Sequence, residues 1–147
     1  MGGFARVVHG SAETTDGLDI VPSPREENLR RLGRALDDLQ AVSSDGRRPI
    51  VAAKLGASDA VTARTSAGEL RIVPEPWGTR GYDDLRIRAF RENLGRGARP
   101  QVASLVDCVR MLEASERKPD VERLQRLRRL MELERQLVPE RGLSIDL

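Results

Sequence analysis

The stretch SPREENLRRLGRALDDLQ, residues 23–40, constrains the fold more than any other part of this chain. Leu29, Leu32, Leu36 and Leu39 recur at helical spacing, so one face of the segment must be buried while the Arg and Asp residues between them stay in water. Ser23 reads as the N-cap, Pro24 suits the first helical position, and Glu26 completes a capping box with Ser23. The expected helix covers residues 24–41. A helix with a single apolar stripe needs a second surface to cover it, and the flanking segments supply one. LDIVP before it is a short apolar run closed by proline and reads as a buried strand. After the loop SSDGRRP, the segments AVTART and ELRIVPEP read as two strands joined by a turn, where Gly68 can supply a positive dihedral.

PWGTRGYDDLRIRAF follows as a Gly- and Pro-rich loop, with a helix beginning near Gly81. NLGRGARPQV resembles a tight hairpin in which Pro100 is tolerable only on an edge strand. Two helices end the chain. Ser104 caps the first, which places Leu105, Val109 and Leu112 on one face; the second buries Val121, Leu124, Leu127 and Met131. The expected fold class is α/β, a small mixed sheet flanked by helices with a C-terminal helical pair. One domain spans residues 1–138, followed by a tail at 139–147.

With 39% hydrophobic and 33% charged residues, the 147-residue chain has the composition of a globular domain able to bury a core. Aromatic residues are only 3% of the total, which argues against single-stranded nucleic-acid binding by base stacking. A single cysteine, Cys108, excludes an internal disulfide and fits a reducing compartment. No stretch is apolar enough to cross a membrane, and Gly2 lacks the Ser or Thr that myristoylation requires, since Arg6 stands there. The expected location is the cytoplasm, with no membrane partner.

GGFARVVHGSAETTDGLDIVPS, residues 2–23, holds the residues with chemical potential. Paired glycines allow close approach of backbone amides to an anion at a helix start. Asp16 and Asp19 lie three apart, so a regular strand points them to opposite faces unless a bulge at Gly17 turns Asp16 back. These features, together with GELRIVPEPWGTRGYDDL and VASLVDCVRMLEASERKPD later in the chain, resemble small bacterial nucleotidyltransferases of the polymerase-β superfold. The branch in question contains minimal nucleotidyltransferases and abortive-infection type toxins. In that family a strand ends in two small residues, a helix follows, and the next strand carries Asp-x-Asp or Asp-x-Glu.

Carried onto this chain, the resemblance implies that Gly2 and Gly3 stand in the paired position, FARVVHG is the helix and GLDIV is the acidic strand. It implies Asp16 and Asp19 as ligands of magnesium, with Glu69 assisting as a third catalytic carboxylate. Gly2, Gly3 and Ser11 would hold the triphosphate of a nucleoside triphosphate substrate. The reaction implied is transfer of a nucleoside monophosphate to a hydroxyl of an RNA or protein acceptor, and an antitoxin-like protein partner is also implied.

Three departures point to a degenerate centre. The strand expected before Gly2 is absent, so the sheet lacks its first member or the gene start is truncated. Gly17 stands two residues before Asp19 where a carboxylate is expected. Arg71 stands at the expected third carboxylate, a built-in counter-ion beside Asp19, and Glu69 lies two residues along the same face, about 6.6 Å away at strand rise. Magnesium binding is therefore expected to be weak, and a non-catalytic binding module is the alternative reading. Plainer readings stand beside these: the glycine pair as a loose terminus, His9 as a helix-end residue, Thr14 and Thr15 as caps of their own loop, and Cys108 as core. The arginines at 123, 126, 128, 129 and 135 read as a solvated face laced with glutamates, although a basic helix could also meet RNA.

Overall fold

The computed structural model describes residues 2–10, 15, 17–50, 54–57, 59–115 and 121–143. It is a mixed α/β structure. Eleven elements are assigned among the described residues. The leucine-striped helix is α2, Glu26–Asp38. Leu36 is only 2% exposed, and Leu29 and Leu32 pack beside it against Leu55, Ala63 and Ile72. Exposed i,i+4 pairs, Arg30 with Glu26 (3.0 Å) and Arg31 with Glu27 (2.6 Å), line its outer face.

Both ends of α2 differ from expectation. The N-cap is Arg25, in extended conformation with no side-chain cap, so Ser23 does not form the capping box. Ser23 is instead drawn into the interior, where its carbonyl accepts a hydrogen bond from Asn28 Nδ2 (3.0 Å). At the far end Gln40 takes a positive φ of 52°. Gln40 N–H donates to the Asp37 carbonyl and Ala41 N–H to the Leu36 carbonyl, the reciprocal pattern of a Schellman motif. Its usual apolar clasp is present too, because Ala41 and Leu36 share one core cluster.

Four strands form the main sheet: β1 (Gly17–Ile20), β2 (Val42–Ser43), β3 (Val61–Thr65) and β4 (Gly68–Ile72), in the order β1-β4-β3-β2. β1 runs parallel to β4, while β3 is antiparallel to both β4 and β2. The β3–β4 turn is the expected hairpin, with Gly68 at φ 125°. Ile20, Leu70, Ile72, Val61 and Ala63 face α2 and make the core. β1, expected as a buried strand, instead lies at the sheet edge with Leu18 39% exposed, because only β4 flanks it.

A second group of elements packs beyond that edge. α1 (Gly2–Val8), the short α3 (Tyr82–Leu85), the ribbon of β5 (Phe90–Arg91) and β6 (Gln101–Val102), and the pair α4 (Leu105–Ala114) and α5 (Val121–Leu143) make it up. Ala5, Val102, Ala103 and Cys108 form one apolar cluster, which puts Cys108 in the core as its plain reading expects. Leu105, Val109, Leu124 and Leu127 form another and join the C-terminal helices. Val121 departs from its expected place and is 63% exposed. Six residues at about 3.6 per turn leave it about 120° round the helix from Leu127. α5 also continues to Leu143, past the expected domain end at 138. No described helix is long and apolar enough to cross a membrane.

Candidate functional site

The alternation of a strand decides which charged side chains meet. Leu18 and Ile20 of β1 turn toward the α2 side, so Gly17 and Asp19 turn to the other face. In the parallel ladder Gly17 is opposite Glu69 and Asp19 is opposite Arg71. Across the next ladder Arg71 is opposite Thr62, and Glu69 is opposite Arg64. The outer sheet face therefore carries a checkerboard in which each carboxylate position adjoins a guanidinium position one strand away. Glu69, Arg71 and Arg64 are all exposed, and Asp19 is half-buried.

This arrangement puts Glu69 on the same face as Asp19 but opposite Gly17, one residue pair removed. Gly17 itself is tightly set: a Cβ added there would lie 3.1 Å from the Glu69 carbonyl oxygen and 3.4 Å from its Cβ. A side chain at that position would require the neighbouring strand to give by a few tenths of an ångström. Among the described residues the register partner of Asp19 is an arginine, which offers no oxygen ligand to a divalent cation. Among the described residues no group of three His, Cys, Asp or Glu side chains could hold a metal ion. Asp16 and Ser11 lie outside the described residues. Gly2 and Gly3 are the first two residues of α1, and not a turn preceding it.

A cavity of about 400 Å³ opens along the outer edge of β1, bounded by α1, α3 and the ribbon. Phe4, Leu18, Leu85 and Val102 give it an apolar lining, and Asp19 and Arg86 place opposite charges on its wall. Such a space suits a small, mainly apolar body with a polar edge. Its walls come from segments as far apart as residues 4 and 103, and pattern reading of single elements did not reveal it.

Two polar arrangements also escaped that reading. Asp107 is fully buried at the start of α4. Ser104 Oγ accepts from Asp107 N–H (3.1 Å) and donates to Asp107 Oδ2 (2.8 Å), while Arg88 Nη2 (2.9 Å) and Arg110 Nη2 (3.0 Å) both reach Oδ1. Asp107 raises the pKa of the Arg88 guanidinium through that hydrogen bond and its charge. Arg110 also reaches Asp84 (3.0 Å), whose carboxyl is held below its ordinary range, first by the Arg80 backbone N–H and then, against some desolvation, by Arg110. The Ser104-x-x-Asp107 spacing, a capping-box pattern, was the signal the sequence offered. The second arrangement is His9, the residue after α1. Its Nε2 lies 2.9 Å from the Ala103 carbonyl and its Nδ1 3.4 Å from Glu134 of α5, with the ring edge-on to Phe90. His9 is thus the helix-end residue of its plainer reading, built into the interior.

Compared with protein-family models, curated proteins and solved structures, the chain matches none of them.

Proposed function

We propose that the chain is a nucleotidyltransferase-type scaffold in which transfer of a nucleoside monophosphate to an acceptor hydroxyl is impaired. The observation that carries this reading is the register pairing of Asp19 with Arg71 on the outer face of the sheet. It supports the sequence resemblance in one respect, because LDIV and LRIV are the adjacent parallel strands that a shared acidic centre requires. The same pairing supports the impairment, because the register position beside Asp19 carries an arginine, which cannot serve as an oxygen ligand to a cation.

In this reading Gly2, Gly3 and Ser11 would meet the triphosphate, and the cavity beside Asp19 would take the rest of the nucleotide. The acceptor would be RNA or protein, and the protein would work in the cytoplasm. The position of Arg71 also favours a second reading, a non-catalytic module that binds a nucleotide or an antitoxin-like protein.

Calorimetric titration with ATP, CTP, GTP and UTP, with and without magnesium, separates the possibilities. At least one nucleotide should bind with an affinity that magnesium hardly changes. A binding heat seen only with magnesium and lost in Asp19→Ala would restore a working metal centre. No heat from any of the four would remove the nucleotide and leave the protein-binding module.

A further inference from the structure

We propose that the cavity along the outer edge of β1 is a slot for an extended peptide, which enters as an added strand between β1 and β6 with apolar side chains at alternate positions. Residues 18–21, at β1 and just past it, line the cavity in unbroken succession, and so do residues 100–103, at β6 and its flanks. Side chains of a strand alternate between its faces, so four consecutive residues reach one space only along the strand's rim. Packing elsewhere agrees with this. Ile20 packs into the core on the α2 side, and Val102 belongs to the apolar cluster of Ala5 and Cys108.

The ladders fix which peptide groups lie on those rims. Val73 N–H donates to the Ile20 carbonyl (2.9 Å), so residues of that parity bond to β4, while Asp19 and Val21 direct their peptide groups to the open side. Glu92 N–H donates to the Pro100 carbonyl (3.0 Å) and Phe90 pairs with Val102, so Gln101, between them, directs its N–H and C=O away from β5. Among the described strands β1 pairs only with β4, and β6 only with β5. Among the described residues the peptide groups of Val21 and Gln101 have no hydrogen-bond partner. Open donors and acceptors on both sides of one slot are what an added strand completes, because strand edges template pairing.

The lining selects the occupant. Leu18, 39% exposed, and Leu94, 50% exposed, leave apolar surface uncovered in the slot, and apolar side chains at alternate positions of an added strand cover it. The charged groups balance, since the lining holds one carboxylate, Asp19, and one guanidinium, Arg86, which Asp83 already meets at 3.1 Å. An uncharged segment complements such a wall, whereas a phosphodiester backbone finds no cationic track along it. A compact apolar molecule would fill the space and bury the open peptide groups unpaired, a cost that an extended peptide avoids. At about 3.3 Å per residue, the rim at residues 18–21 accommodates about four residues of such a peptide.

The inference deepens the protein-binding reading given above and rests on it for the class of partner, since a nucleotide would contest the same cavity. Fluorescence anisotropy of a fluorescein-labelled peptide of sequence KVTVTVK with the full chain, without nucleotide or divalent metal, tests it. Binding should saturate at one peptide per chain, and hydrogen exchange followed by NMR should slow at the Val21 and Gln101 amides. The same peptide methylated on its three valine nitrogens keeps the side chains and loses one row of donors, so it should bind at least about tenfold more weakly. Gln101→Pro removes one rim donor that β5 does not use, and should weaken binding about three- to tenfold. If that variant fails to fold, as a thermal melt would show, the methylated peptide decides alone. The proposal is overturned if the peptide does not bind, if the methylated peptide binds equally well, or if exchange at Val21 and Gln101 is unchanged. It is also overturned if the free chain is a dimer with those two amides already protected, which would make a second copy the occupant. A failed peptide titration removes the slot and leaves the four-nucleotide titration to decide the broader reading; nucleotide heat beside it would assign the cavity to the nucleotide.

Discussion

Asp107 and Arg88 join the start of α4 to the residues just before the ribbon through a 2.9 Å contact in which the carboxylate is fully buried and the guanidinium half-exposed. Because Ser104 and Arg110 also bind that carboxylate, removing it leaves several polar groups without their common partner. Asp107→Ala should destabilise the fold by about 3 kcal/mol, the lower end for a broken buried pair, since Arg88 can regain water. Urea unfolding measures it, and a loss under about 1 kcal/mol would show that the network is not holding these elements together.

The Asp84 carboxyl gives the network a pH dependence. Its folded pKa lies below its ordinary value, chiefly through the Arg80 N–H, so the unfolded chain binds its proton first as pH falls. The stability it contributes is fully present above the ordinary carboxylate range and is lost as pH drops through the depressed value. Unfolding midpoints measured from neutral pH into the acid range should fall less steeply for Asp84→Asn than for the unmodified chain. Parallel curves would show that Asp84 is not a source of the acid sensitivity.

Leu36 marks the core on the α2 side of the sheet. It is nearly inaccessible among Ala41, Leu55, Ala63 and Ile72, so Leu36→Ala should cost about 2–5 kcal/mol. A measured loss below about half a kcal/mol would mean that the buried face of α2 is misassigned.

The contrast between Leu36 and Gln40 shows what the sequence made legible. Four leucines at helical spacing announce α2 and its buried face, because burial leaves a periodic trace. Its end was not legible, since Gln40 adopts a left-handed conformation that glycine or asparagine would have advertised. Ser23 and Pro24 imitate a helix start, yet the interior captures Ser23 and moves the cap to Arg25. The meeting of Asp19 and Arg71 was implied by the resemblance to nucleotidyltransferases and not by alternation within LDIV and LRIV, and the edge position of β1 was not legible at all, because register and strand order depend on distant pairing. Asp107 sat at a polar position of an amphipathic helix, and only the approach of Arg88 from a segment distant in the chain made it one end of a buried pair.

In the proposed nucleotidyltransferase reading Arg71 stands where a magnesium ligand would be needed, and Arg71→Asp is the decisive variant for that reading. Asp19 would then face a second carboxylate in the register position now held by a cation. Like-charge repulsion should lower the thermal midpoint without metal, and millimolar magnesium should restore it, while the midpoint of the unmodified chain stays unchanged on adding magnesium. Melting curves of both proteins with and without magnesium decide the matter. If magnesium stabilises the unmodified chain as much as the variant, Arg71 does not block a metal centre and the reading of an impaired site is wrong.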